Sequence, residues 1–152
     1  MIGTELAAFL QEGVGIHIGT RNAALEPNGS RALAVKVEED GRHLVVYVAR
    51  VAAERLLPDL QANGQAAVGF GRPIDDRACQ VKGLYLESRD AGDDDRPIVD
   101  AQWNGFLSSL EQIGIPRAMS RGWATWPAVA IRLRANAIFD QTPGPGAGAP
   151  IA

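Results

Sequence analysis

A chain of 152 residues is long enough for one domain with a sizeable core and too short for two ordinary ones. Its 46% hydrophobic and 22% charged residues are the proportions of a soluble globular protein. The net charge of −3 argues against broad nucleic-acid binding, which shows a basic excess, but leaves room for a small anionic ligand held by local Arg or Lys.

Residues 1–10 have no basic leader region, and no apolar run approaches the roughly 18 residues of a membrane span, so neither a secretory leader nor a membrane partner is expected. Thr4 is placed to cap a short helix over Glu5–Gln11, with Leu6, Phe9 and Leu10 on one stripe. Gly13-Val14-Gly15 ends it and opens a strand over Val14–Thr20. Asn22–Ser30 reads as a connection rich in turn formers. Arg31–Glu38 follows as a strand in which Leu33, Val35 and Val37 alternate with Ala32, Ala34 and Lys36. Glu39-Asp40-Gly41 is a hairpin signal, with His43–Ala49 as the return strand. Arg31 and Lys36, five apart, face opposite sides of a regular strand, so they reach one ligand only through a bulge or a strand end.

Val51–Ala62 has a helical pattern ending at Asn63-Gly64, and Pro58 inside it predicts two turns with a break between them. Arg50 and Arg55 sit where a guanidinium could meet a phosphate near backbone donors. Ala66–Gly71 is the next strand and Arg77–Ser88 a longer one. In the latter Gln80 and Lys82 share one face, while Cys79 and Val81 share the other. A cation and an amide on one strand face suit a planar, hydrogen-bonding, anionic ligand. The single cysteine, Cys79, excludes an intrachain disulfide, reads as a small buried hydrophobe and fits a reducing cytoplasm. His17 and His43 lie far apart with no ligand pattern beside them, and no metal site is expected.

Arg89–Asp95 reads as a solvated acidic loop. Pro97 starts a helix to about Ile113, with Trp103, Phe106, Leu107 and Leu110 on its apolar face, and Gly114-Ile115-Pro116 interrupts it. Trp103, Trp123 and Trp126 are read as core or interface residues. Pro127–Ala135 is the last strand, and Asp140–Ala152 is Pro/Gly-rich. The glycines of Gly144-Pro145-Gly146-Ala147-Gly148 have the spacing of a partial dinucleotide fingerprint, but no helix follows them. No Walker-type loop and no nucleophile arrangement is present. Recurrent hairpins without regular strand–helix alternation predict a mainly β (α+β) fold, an antiparallel sheet or barrel with peripheral helices.

Together these segments resemble the pyridoxamine 5′-phosphate oxidase-like, FMN-binding split-barrel superfamily. The likeness rests on Arg31-Ala32-Leu33-Ala34-Val35-Lys36 after Pro27, on Asp40-Gly41 leading to Arg55 and Asn63-Gly64, and on Arg72-Pro73 through Gln80-Val81-Lys82-Gly83. Phe139–Gly146 is similar to the ending of a small subgroup. The resemblance spans most of residues 6–146; each motif is loose, and their order carries it. It implies a six-stranded antiparallel split β-barrel over 1–139, a Pro/Gly-rich tail over 140–152, and a homodimer with FMN between subunits. Arg31, Lys36 and Arg55 would then serve the flavin phosphate and nearby ring edge, and Gln80 and Lys82 would lie near the ring or ribityl chain. The tail would be a disordered end or an arm over the partner's site, with the arm preferred.

The implied activity is that of an oxidoreductase passing electrons between a nicotinamide or other donor and a small molecule. The alternatives are a redox-sensing binding module without turnover, or the same fold holding a deazaflavin or haem. Leu56 stands where many relatives carry a second basic residue, and the Trp- and Arg-containing terminus of true pyridoxamine phosphate oxidases is missing. Oxidation of pyridoxamine phosphate is therefore not expected.

Overall fold

The computed structural model describes residues 1–123 and 125–151. The elements run α1 (Thr4–Gln11), β1 (Gly15–Arg21), β2 (Pro27–Ala32), β3 (Ala34–Val37), β4 (His43–Ala49), α2 (Arg50–Asn63), β5 (Gln65–Gly71), β6 (Ala78–Asp90), α3 (Arg96–Gln112), a 3-10 turn (Arg117–Ser120) and β7 (Ala128–Asp140). All pairings are antiparallel, in the order β2-β1-β5-β6-β7-β4-β3. The fold is thus mainly β with three helices, as expected, but the sheet has seven strands and not six.

The extra strand arises because the single strand expected over Arg31–Glu38 is broken at Leu33. β2 pairs with β1, whereas β3 pairs with β4 at the opposite end of the order. The segment Pro27–Val37 therefore steps from one edge of the sheet to the other, and the sheet curls to let it. Leu33 marks the step by donating its N–H to the Tyr47 carbonyl at 2.8 Å. Alternation fails here: Ala32, Leu33, Ala34 and Val35 are all buried. Ala32 and Val35 join the barrel interior, while the neighbours Leu33 and Ala34 both pack outward beneath α3.

Elsewhere the period of two holds. Ile16 and Ile18 of β1, Val68 and Phe70 of β5, Cys79 and Val81 of β6, and Ile131 and Leu133 of β7 fill the interior with Leu56 and Leu60 of α2. A second, smaller core lies outside the sheet, where Val99 of α3 covers Tyr47, Ala49, Ala128 and Ala130. α3 reaches the barrel by close backbone approach at Gly105. A Cβ there would sit 3.2 Å from the Glu12 carbonyl, and one on Gly13 would sit 2.9 Å from the Gly105 Cα.

Once docked, α3 seals an open edge. Val35 donates its N–H to Gln102 Oε1 (3.0 Å), and Gln102 Nε2 donates to the Val35 carbonyl (2.7 Å). Gln11 accepts from the Val37 N–H in the same way at 3.0 Å. Two glutamines thus satisfy edge groups of β3 that no strand reaches.

Three local expectations change. Gly3, not Thr4, occupies the N-cap of α1, and Thr4 is its first helical residue. α2 runs unbroken through Pro58, because the hydrogen bond lost there faces solvent beside exposed Glu54, and water can replace it. Gly64 ends that helix at φ +70°, as expected. The last strand continues to Asp140, and the tail then turns back on its own chain. Gly148 donates to the Asp140 carbonyl (2.7 Å) and Ile151 to that of Ile138 (2.8 Å). Among the described residues no helix is long and apolar enough to cross a membrane.

Candidate functional site

The break at Leu33 turns both Arg31 and Lys36 outward, the irregularity that their five-residue spacing demands. They nevertheless enter different hollows, because the N-terminal half of α3 lies between them. Arg31 lines a hollow of about 470 Å³ with Ser30, Arg55, Trp103, Trp123 and the start of α2 at Val51-Ala52. The first turn of a helix carries N–H groups without intrahelical partners, so two guanidinium groups and a helix N-terminus converge on one space. That donor set suits a phosphate.

Arg31 is held unusually. Its guanidinium lies 4.4 Å from the Trp123 ring centroid and 5.2 Å from that of Phe106. Trp103 completes the aromatic group, 5.7 Å from Trp123 and 5.8 Å from Phe106. Burial lowers the Arg31 pKa from its ordinary value, which marks a charge short of water. Among the described residues no carboxylate lies within ion-pair distance of it.

On the other side of Arg31 the sheet is nearly bare. Arg31, His17, Gly69, Gln80 and Phe139 face one another across β2, β1, β5, β6 and β7. The next row is Gly29, Gly19, Ala67, Lys82 and Ala137. A Cβ added to Gly69 would meet nothing within 4 Å, so no packing inside the protomer requires a glycine there. Strand glycines of this kind admit close approach by a ligand or another backbone. Burial, and then the Arg31 charge, lower the His17 pKa, favouring the neutral ring. Lys82 is exposed, its Nζ 5.0 Å from the Phe139 ring centroid. The adjoining Gly83 stands where the β6–β7 register shifts, and a Cβ there would meet the Arg134 carbonyl at 2.7 Å.

The remaining two candidates lie apart. Arg50 pairs with Asp90 at 2.9 Å and lines a separate hollow with Glu54 and Leu57. Lys36 lines a polar hollow of about 410 Å³ with Tyr47, Glu87, Arg89 and Arg132. Asp95, expected in a solvated loop, is 7% exposed at the base of that hollow. It accepts from Arg89 Nη1 (2.6 Å) and Nη2 (3.0 Å), Tyr47 Oη (2.8 Å) and the Gly92 N–H (2.9 Å). These bonds, the Arg89 guanidinium first, hold its carboxyl well below the usual carboxylate range. Burial and then Asp95 push the Tyr47 hydroxyl well up. Cys79 is buried, and burial raises its thiol to about 11, so it is not a nucleophile.

Sequence reasoning missed Ser30, His17, Trp103 and Trp123 as companions of Arg31. The outward position of His17 was legible from the alternation of β1. The stacking of Trp123 on Arg31 was not, because it depends on how a non-repetitive segment returns to the sheet.

Curled antiparallel sheet, crossing segment and flanking helices together define the split-barrel fold of the pyridoxamine 5′-phosphate oxidase-like proteins. The chain is similar to HupZ of Group A Streptococcus over 97% of its length and 100% of that chain, at 17% identity and TM-score 0.57. It is similar to an F420 reductase over 86% of its length and 93% of that chain, at 18% identity and TM-score 0.57. An FMN-binding protein from Syntrophomonas wolfei subsp. wolfei matches over 90% of this chain and 86% of its own, at 11% identity and TM-score 0.52. No family model and no curated protein matches the sequence.

Proposed function

We propose that this protein is a homodimeric FMN-binding flavoprotein of the cytoplasm that acts as an oxidoreductase on a small molecule. The observation that carries the reading is the joint lining of one hollow by Arg31, Arg55 and the first turn of α2. FMN offers a dianionic phosphate to such a donor set. Arg31 and Arg55 would hold that phosphate, with Ser30 beside them. Bound there, FMN would supply hydride or electron transfer, while the protein positions it and excludes water. Gln80 and Lys82 would meet the polar ring edge from the bare sheet face. Arg50, already paired, and Lys36, in the neighbouring hollow, would act on the field around the site more than by direct contact.

The hollow is open, and one protomer covers only part of a ligand the size of FMN. The glycine-floored face of β1 and β5 next to it suits close approach by a second copy, which would complete the enclosure. The similarity of the fold to an F420 reductase supports a second reading, in which a deazaflavin occupies the same phosphate-side donors.

The test is absorbance of the purified protein before and after mixing with FMN and desalting. Retained bands near about 370 and 450 nm are expected from flavin. The double variant Arg31→Ala, Arg55→Ala should lose them while keeping its circular dichroism spectrum. Equal flavin retention in the double variant and the wild type would refute the assignment. Turnover with nicotinamide cofactors, followed by stopped flow, separates an enzyme from a binding module.

A further inference from the structure

Arg31 also heads a second space, on the far side of Trp123 from the phosphate-side hollow. This groove runs between α3 and the 3-10 turn and encloses about 290 Å³. Phe106, Leu107, Leu110, Ile115, Pro116 and Met119 make its walls. Ile115, Met119 and Trp123 are 37%, 70% and 39% exposed, so an apolar strip opens to solvent along it.

Two arginines touch the groove, and they are not equivalent. Arg117 is already engaged, donating to Glu111 Oε2 (2.9 Å), Asn104 Oδ1 (3.2 Å) and Ser108 Oγ (2.7 Å). Arg31 has no carboxylate partner among the described residues. Its guanidinium carbon lies 4.4 Å from the Trp123 ring centroid and 5.2 Å from that of Phe106, and aromatic contacts of this kind leave a guanidinium's N–H donors available to an anion. A half-buried cation without a carboxylate partner, at the end of an apolar slot, is complementary to an anion with an apolar body.

We propose that this groove is a binding site for a small amphipathic carboxylate, its carboxylate on Arg31 and its hydrocarbon on Leu107, Leu110, Ile115 and Met119. Taking the ~30 Å³ that a water occupies in the liquid as the yardstick, the space admits about ten heavy atoms. An aryl or short alkyl acid of that size fits. The groove and the phosphate-side hollow share Arg31 and Trp123 but are otherwise lined by different residues. The inference does not depend on flavin being bound.

The probe is 3-phenylpropionate, titrated into the full-length protein and followed by tryptophan emission, because Trp123 lines the groove. Its neutral counterpart, 3-phenylpropionamide, is the control for charge. The acid should bind at least tenfold more tightly than the amide, and Arg31→Gln should abolish that difference. Leu110→Glu, at a partly exposed position, should abolish binding of the acid without unfolding the protein, as judged by circular dichroism. Equal affinities for acid and amide in the wild type, or no saturable change with the acid, would overturn the proposal. So would conversion of a dimer to a monomer by Leu110→Glu in sedimentation, which would make the groove an interface between copies. Flavin retention, read by visible absorbance on the same samples, is scored independently. Acid binding without flavin retention leaves the groove assigned and removes only the flavin reading.

Discussion

Replacing Gln102 with leucine tests the claim that one side chain closes the β3 edge. Leucine keeps most of the volume of glutamine but can neither accept from the Val35 N–H nor donate to its carbonyl. Val35 is fully buried and Gln102 is 8% exposed, so water does not readily substitute. Each orphaned backbone group costs about 1–3 kcal/mol. With partial relaxation the pair sums to roughly 2–4 kcal/mol, a large share of the ~5–15 kcal/mol that holds a domain together. At this chain length that corresponds to a fall in Tm of about 5–15 °C. Urea unfolding gives the free energy directly, and hydrogen exchange at the Val35 amide reports whether the edge has opened.

Gln102→Glu sharpens the same test. A protonated carboxyl can repeat both hydrogen bonds, whereas the carboxylate sets an oxygen against the Val35 carbonyl. The folded pKa of this glutamate should therefore rise above its unfolded value of about 4.3. Its contribution would be fully present below that value and lost as pH rises through the raised folded pKa. Stability relative to wild type should thus improve on acidification. A leucine variant within about 0.5 kcal/mol of wild type would refute the edge-sealing argument.

Asp95 should govern part of the acid limb of stability. Because its folded pKa is depressed, its contribution is present above the unfolded value of about 3.9 and lost as pH falls towards the folded one. Asp95→Asn should lower stability at pH 7 and flatten the loss below about pH 4, which chemical denaturation across pH would record. Gly83→Ala should destabilise by about 1–3 kcal/mol, because its Cβ meets a backbone carbonyl that cannot rotate away; thermal melts measure it. Gly69→Ala should change protomer stability little, yet weaken any dimer that uses the bare face, as sedimentation equilibrium would show.

Most elements were legible because their alternation or helical spacing is strong, as in β1, β4 and β5. The seventh strand was hidden by the alanines around Leu33. Alanine fits either face of a strand, so Ala32-Leu33-Ala34 gives no sign that the chain changes sheets between them. Asp95 was misplaced because a charge run does not show which member folds inward. Its burial depends on Arg89 and Tyr47 converging from β6 and β4, which only the tertiary fold arranges. Beyond Ala135, β7 continues past Asn136, which is skipped at the register shift, into Ala137 and Ile138, which pair with Lys82 and Val81 of β6. Among the site candidates, Arg31 with Arg55 and Gln80 with Lys82 fall into coherent surroundings. Arg50 and Lys36 show the limit of reading spacing alone: Arg50 pairs with Asp90 in a hollow shared with Glu54 and Leu57, and Lys36 lines the hollow of Asp95.

The pairing order has a bearing on how the chain is made. β1 with β2, β3 with β4, and β5 with β6 are each neighbours along the chain, whereas β7 alone bridges β6 to β4. During synthesis the first 127 residues can assemble two separate sheet fragments, each ending in an unpaired edge, and only the last strand to emerge unites them. A nascent or prematurely terminated chain lacking β7 would expose the long edge of β6 and the hydrophobic edge of β4 together, an invitation to aggregation. Chains truncated before β7 should therefore stay protease-sensitive, whereas chains that include it through Asp140 should gain resistance in a single step.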